Sequence, residues 1–322
     1  MKKTLLTICL VWMCFSLSAQ KIIDLSGKWS FSIDRQDNGE KEKWFSHTLN
    51  DFINLPGSMP EKLKGDEVTA KTQWTGSLYD SSYYYNPYME KYRKEGNIKF
   101  PFFLTPDKHY VGAAWYQKEV NIPADWKGER ILLFLERPHI ETTVWVNGQK
   151  TGMQNSLCVP HQYDITHYVR PGKCTITIRV DNRIKEINVG PDSHSITDQT
   201  QGNWNGIVGR ICLQTTPKTY FDDIQIYPEP EQKLARVKVV IKGTGTAKVK
   251  LSAESFNTDK KHIVPAIQQE IKLNKGVTET EMVLPMGNDM LLWDEFHPAL
   301  YKLKAEVTNG KKTEIKEIQF GI

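Results

Sequence analysis

Short alternating runs dominate the chain. In "GKWSFSI", Trp29, Phe31 and Ile33 alternate with polar neighbours, the period-two pattern of a half-buried strand. "AAWYQKEVNIP" sets Trp115, Gln117 and Glu119 against Tyr116, Lys118 and Val120 on opposite faces. "RILLFLER" is a continuous apolar run, as expected of a strand buried on both faces. In "ETTVWVNGQKTGMQ", Asn147-Gly148 lies between two strand-like runs. That dipeptide predicts a two-residue hairpin turn, because a type I′ turn needs positive φ at both central positions. "KCTITIRVDN" alternates Cys174, Ile176, Ile178 and Val180, and "GRICLQT" adds one more strand. Two long irregular stretches interrupt the series, Leu55–Lys99 and Ile184–Asn205. Loops of this length in a compact domain are usually functional or covered by a partner.

The pattern changes register after "TTPKTYFDDIQIYPEPEQ", where Pro217, Pro228 and Pro230 break the run. "ARVKVVIKG", "AKVKLSAES", "QQEIKLN", "TETEMVLP", "LYKLKAEV" and "TEIKEIQFGI" then follow as short alternating strands. Such spacing over about 100 residues fits an immunoglobulin-like sandwich. Lys and Glu fill its polar positions and guard its edges against pairing. Helix signals are few and no internal repeat is present. The prediction is an all-β chain of two sandwiches.

Residues 1–19 change the picture at one end. Two lysines, the apolar run Leu5–Leu17 and the small residues Ser18 and Ala19 read as a signal peptide, cleaved near Ala19/Gln20. The segment before Cys14 lacks the small residues of a lipid-attachment box. No later stretch reaches the roughly 18 apolar residues of a spanning helix. The expected product is therefore a periplasmic or secreted protein of about 300 residues without a membrane span. A net charge of +4, spread without a basic block, gives no nucleic-acid partner. Beyond the leader, Cys158, Cys174 and Cys212 permit at most one disulfide and are expected as small buried residues. None of the eight histidines forms a metal-ligand pair, so no metal or cofactor is expected.

Candidate ligand contacts concentrate in "DQTQGNWNGIVGRI", residues 198–211, and in the tyrosine-rich "SLYDSSYYYNPYMEKY". The latter, with six tyrosines from Tyr79 to Tyr92, is either an aromatic loop packed on its domain or a surface for sugars or another domain.

The ordered segments "DLSGKWSFSID", "LPGSM", "AAWYQKEVNIP", "VWVNGQKTG", "HQYDIT", "IRVDNR" and "NWNGIVGRICL" together resemble the amino-terminal sugar-binding domain of glycoside hydrolase family 2. "LLWDEFHPALYKLKAEV" and the terminal "FGI" resemble the end of that family's immunoglobulin-like domain. The family contains β-galactosidases, β-glucuronidases and β-mannosidases. The resemblance implies a galactose-binding-domain-like jelly roll over residues 20–217 and an immunoglobulin-like sandwich over 218–322. Trp29 and Trp115 are expected as core anchors, Asp164 as a backbone cap, and Trp293 with Pro298 as a pin for the strand starting at Leu300 and Tyr301.

In the family a (β/α)₈ barrel follows and carries both catalytic glutamates. A retaining glycosidase needs two carboxyl groups about 5–5.5 Å apart, and a barrel takes about 250 residues. No βα alternation occurs up to Ile322, so no catalytic residue is carried over. The expectation is the non-catalytic N-terminal part of an exported β-glycosidase, with a β-linked glycan as ligand and the barrel as its partner in cis. An isolated chain should then expose an apolar patch. The alternative is a free-standing carbohydrate-binding or scaffold protein.

The resemblance also implies that the loop before "GI" reaches the barrel mouth, where an acid contacts substrate hydroxyls in some members. Asp198 is the nearest acid, but Thr200 stands closer to the family position; Gly209 likewise stands where the family favours arginine, with Arg210 next. Asp198, Asn203 and Asn205 are candidate sugar contacts, or else they satisfy loop backbone groups. Trp204 either stacks on a sugar or the barrel, or packs in the core. His194 can approach the same mouth, since a neutral imidazole both donates and accepts hydrogen bonds. Gly202 and Gly206 supply backbone freedom.

Overall fold

A computed structural model describes residues 21–73, 81–99, 105–185, 193–194 and 202–322. The described chain forms two compact β units, Lys21–Thr215 and Thr216–Ile322.

The first unit is a jelly roll of two facing sheets. One runs Ile22–Asp24, Ile211–Thr216, Arg130–Leu135, His161–Asp164. The other has six strands in the order Gln149–Asn155, Glu141–Val146, Gly172–Asp181, Ala113–Ile122, Gly27–Asp34, Asp51–Leu55. The period-two pattern explains how they close on each other. Trp29, Phe31, Tyr116, Val144, Ile176 and Ile178 face inward from the larger sheet. Ile131, Leu133, Leu135 and Leu213 meet them from the smaller one in a single core cluster. The hairpin turn forms as expected, with φ of 50° at Asn147 and 77° at Gly148. Asn147 also stitches the hairpin to its neighbour, its side-chain oxygen accepting from Thr175 N–H at 3.0 Å. Asp164 caps its strand end by accepting from Thr166 N–H at 3.1 Å.

Alternation places Trp29 and Trp115 on opposite faces, so only Trp29 anchors the main core. Trp115 is buried on the outer face of the six-stranded sheet, in a second cluster with Trp145 and Leu49. The segment after Asp34 folds over that face. Asp34 Oδ2 accepts from Trp115 Nε1 at 2.9 Å and from Gly39 N–H at 2.8 Å. Phe45 then stacks on Trp145, with ring centroids 5.2 Å apart. A Cβ at position 39 would lie 2.5 Å from Trp115 Nε1, so this fold-over requires glycine.

In the second unit the expected short strands merge. Leu234–Phe256 and Ile263–Pro285 are each 23 residues long and pair along their length. Glycines at the ends of the expected short strands are kinks. Register shifts at Gly243/Gly245, where Gly245 has φ of 86°, and Gly276 has φ of 101°. On one side of the kink, Leu234–Lys242 pairs with Tyr220–Glu229. On the other, Lys248–Phe256 pairs with Leu300–Asn309, which pairs with Lys312–Phe320. Each long strand thus passes from one layer of the sandwich to the other. Val237, Val239 and Ile241 come from the first half, Val249 and Leu251 from the second, and all enter one core with Tyr301 and Leu303. Trp293 and Pro298 form an isolated bridge ahead of the strand that begins at Leu300.

Cys174 and Cys212 are buried, whereas Cys158 is exposed, contrary to the expectation of burial; none of the three is in a disulfide. Cys158 lies in the connection after the edge strand Gln149–Asn155, beyond the reach of either core. Among the described residues no helix is long and apolar enough to cross a membrane.

Two separate cores make a direct prediction. Leu133→Ala and Leu251→Ala remove fully buried side chains and are each expected to cost about 2–5 kcal/mol. In calorimetric unfolding each should lower the transition of its own unit.

Candidate functional site

The strand Gly172–Asp181 ends at one edge of the jelly roll, and the chain returns to the fold at Gly202–Ile207. Three asparagines clasp these two flanks. Asn182 Nδ2 donates to Tyr110 O at 2.8 Å and to Asn203 Oδ1 at 3.0 Å, and its Oδ1 accepts from Gly112 N–H at 2.8 Å. Asn203 Nδ2 returns a bond to Asn182 O at 2.9 Å. Asn205 is fully buried: its Nδ2 donates to Gly112 O at 2.9 Å and Val180 O at 3.0 Å, and its Oδ1 accepts from Tyr116 Oη at 2.7 Å. Asparagine suits this place because one side chain carries two donors and an acceptor.

Gly206 completes the return. Its φ is 140°, and a Cβ there would meet Gly57 O at 2.5 Å. Only glycine allows Gly206–Ile207 to pair with Gly57–Ser58.

Asn203 and Asn205, each read as a sugar contact or as a partner of loop backbone, are both buried, with their amides bonded within the unit. Trp204, between them, is half-buried and stacks on His139, with ring centroids 4.5 Å apart and planes within 18°. His194 is exposed. Asp198 and Thr200, like Tyr79 of the tyrosine-rich stretch, lie outside the described residues. Within that stretch Tyr83 is buried, while Tyr85 and Tyr88 are exposed.

His139 was not evident as a site residue in the sequence. Burial pushes its pKa down from 6.5 to about 4, and neighbouring Arg137 adds to that; a hydrogen bond with Asn203 opposes it. The imidazole under Trp204 is thus neutral at physiological pH. Burial likewise holds His161 at about 4.

On the outer face of the same sheet end lies an open cleft of about 610 Å³, lined among others by Asp37, Glu141, Lys150, Arg179, Arg183 and Lys185. Asp181, fully buried, accepts from Arg179 Nη2 at 3.1 Å and Arg183 Nη2 at 2.6 Å, and pairs with Lys185 at 2.9 Å. Asp37 bridges Arg179 and Arg183, and Glu141 bridges Arg179 and Lys185. Burial opposes ionisation of Asp181, yet the Arg183 and Lys185 hydrogen bonds outweigh it and hold the carboxyl well below its ordinary value. A catalytic acid needs the opposite, a carboxyl kept protonated near neutral pH. Asp24, Asp37, Asp51, Glu61, Asp125, Asp164 and Asp294 are likewise held below the ordinary carboxyl value. Among the described residues, no group of three His, Cys, Asp or Glu side chains could hold a metal ion.

Two family models tile the chain. "Glycosyl hydrolases family 2, sugar binding domain" matches residues 22–217, and "Glycosyl hydrolases family 2" matches 219–322. The chain belongs to glycosyl hydrolase family 2. Among its relatives, the Homo sapiens β-glucuronidase is 24% identical over 319 residues, 88% of this chain and 41% of that protein. The Paenibacillus borealis β-glucuronidase is 24% identical, over 94% of this chain and 45% of its own length. A Clostridium acetobutylicum β-galactosidase is 24% identical, over 87% and 28%. A solved Ruminococcus gnavus β-glucuronidase in complex with D-glucuronic acid shares the fold, with a TM-score of 0.59, 18% identity, and coverage of 94% of this chain and 46% of that one. The family 2 chain described here spans less than half the length of these relatives.

Two outcomes are expected at this edge. Asn205→Ala removes the acceptor of the Tyr116 hydroxyl and one donor from each of two carbonyls, of which Gly112 O keeps Asn182 N–H at 3.4 Å. At about 1–3 kcal/mol for a buried group left unpaired, it should destabilise the first unit by about that amount in urea denaturation. Asn205→Asp should not rescue it, because a carboxylate cannot donate to the carbonyls. The second concerns pH. His139 has a folded pKa near 4 against 6.5 in the ordinary state, so the unfolded chain binds the extra proton between those values. The neutral ring contributes fully above pH 6.5, and its contribution is lost as pH falls toward 4, on the order of 3 kcal/mol in all. His139→Gln should flatten the stability slope across that window.

Proposed function

We propose that this chain is the non-catalytic N-terminal part of an exported family 2 β-glycosidase, and that it supplies the rim of the active site and support for a separate catalytic domain. The observation that carries this reading is the tiling of residues 22–322 by the two accessory-domain models, together with coverage of less than half of each relative. The relatives are named β-glucuronidases and β-galactosidases, and the substrate class inferred for the whole protein is accordingly a β-linked glycoside. The partner is a (β/α)₈ catalytic domain in cis.

The described chemistry is consistent with a supporting part. The carboxylates of the cleft are ion-paired, and the loop flanks are fastened by buried amides. Within the rim, Trp204 offers an aromatic face backed by His139. Stacking of this kind suits the apolar face of a sugar ring. Asp198 and His194, from the same stretch of sequence, complete the proposed contacts. Export to the periplasm or medium rests on the leader pattern of residues 1–19.

The test is enzymatic. The purified 322-residue chain, assayed on chromogenic β-glucuronides, β-galactosides and β-mannosides, should release no aglycone above the uncatalysed rate. Turnover by this chain, abolished by substitution of one of its own carboxylates, would sink the proposal.

A further inference from the structure

The rim around Trp204 makes no use of the cleft of about 610 Å³ on the outer face of the six-stranded sheet. Strand register lays out the floor of that cleft. Met153, Thr143 and Arg179 stand side by side across three neighbouring strands, and Glu141 stands opposite Asp181 two positions along. Asp37 and Glu40, from the segment that folds over Trp115 and Trp145, also line it, as do Arg183 and Lys185 beyond the strand end.

The polar groups are held in place before any ligand arrives. Asp37 bridges Arg179 and Arg183, each at 2.6 Å. Glu141 accepts from Lys185 at 2.8 Å, and Glu40 accepts from Lys150 at 2.8 Å. Both glutamates are bonded through Oε1. Oε2 of each takes no hydrogen bond among the described residues. Glu141 is only 9% exposed, so that oxygen has little access to water. A hydroxyl placed against it gains a charge-assisted hydrogen bond at small desolvation cost.

The lining selects the ligand class. Three carboxylates and four cations line the cleft, and buried Asp181 behind them completes the balance. Neither an anion nor a cation meets a net field there. Apolar surface comes from Met153 and Ile184, too little for a hydrophobic ligand. Thr143 and Arg179 lie on interior strands whose backbone is paired on both sides, so no peptide can add as a strand over the floor. An uncharged molecule dense in hydroxyls fits, because each hydroxyl both donates and accepts. We propose that this cleft binds an uncharged saccharide. Oε2 of Glu141 and of Glu40 accepts from its hydroxyls, Lys150 and Arg183 donate to them, and the exposed Met153 side chain covers a C–H face of the ring. The site belongs to this chain alone and needs no further domain.

Titration calorimetry of the 322-residue chain tests it, with the neutral β-linked disaccharides lactose and cellobiose and with D-glucuronate. At least one disaccharide should bind saturably, and more tightly than D-glucuronate. Lys150→Ala should weaken that binding about tenfold, by loss of a charged hydrogen bond. Met153→Ala should weaken it as well, and Trp204→Ala should leave it intact. If Lys150→Ala also lowers the melting temperature, Met153→Ala decides, since that side chain is exposed. Absence of binding by both disaccharides, or tighter binding of D-glucuronate, overturns the proposal. So does binding that is lost in Trp204→Ala and kept in Lys150→Ala and Met153→Ala, which would put the sugar on the indole instead.

Discussion

The six-stranded sheet of the first unit has to be covered on both faces, and much else follows from that constraint. Its strands alternate large side chains to each side, so leaving either face open would expose an aromatic layer. Trp29 and Tyr116 are buried against the facing sheet. Trp115 and Trp145 are buried under the segment that Asp34 turns back. Farther along the same outer face the cover changes from apolar to ionic, with Arg179 and Asp181 side by side at the end of the strand. A buried ion pair is a poor source of net stability, but breaking one by removing a partner is costly. The network of Asp181, Arg179, Arg183 and Lys185 is best understood as fixing where the chain leaves the sheet.

That exit point and the asparagine clasp are two sides of one junction. Asp181 and Asn182 are adjacent, one bonded to cations on the outer face and the other to Asn203, Tyr110 and Gly112. The two described flanks, Asp181–Asn182 and Gly202–Ile207, are thereby fixed to one sheet. Trp204 sits inside the clasp, with its indole on a neutral histidine.

Much of the fold was legible in the sequence because strand periodicity is local. The alternation around Trp29, Trp115 and Ile176 marks strands directly, and Asn147-Gly148 marks a turn because few other dipeptides tolerate its dihedral angles. The long strands of the second unit were not legible as such. Gly243, Gly245 and Gly276 look like turn residues, but whether a glycine turns a chain or kinks it depends on what pairs on either side. The site was legible only as a stretch. Asn203 and Asn205 stand out by residue type, but their partners, Gly112, Tyr116, Val180 and Asn182, lie 21 to 93 positions away.

By itself, then, the sequence determined the all-β class, the hairpin at Asn147-Gly148 and the likeness to family 2, since each depends on neighbours along the chain. The tertiary structure alone decided which face Trp115 takes, that Asn205 is buried and bonded to Gly112, Val180 and Tyr116, that His139 lies under Trp204, and that Asp181 is buried among cations. The physical reason is the same in each case. Burial, proton affinity and hydrogen-bond satisfaction are set by groups that folding brings together, and no local pattern records them.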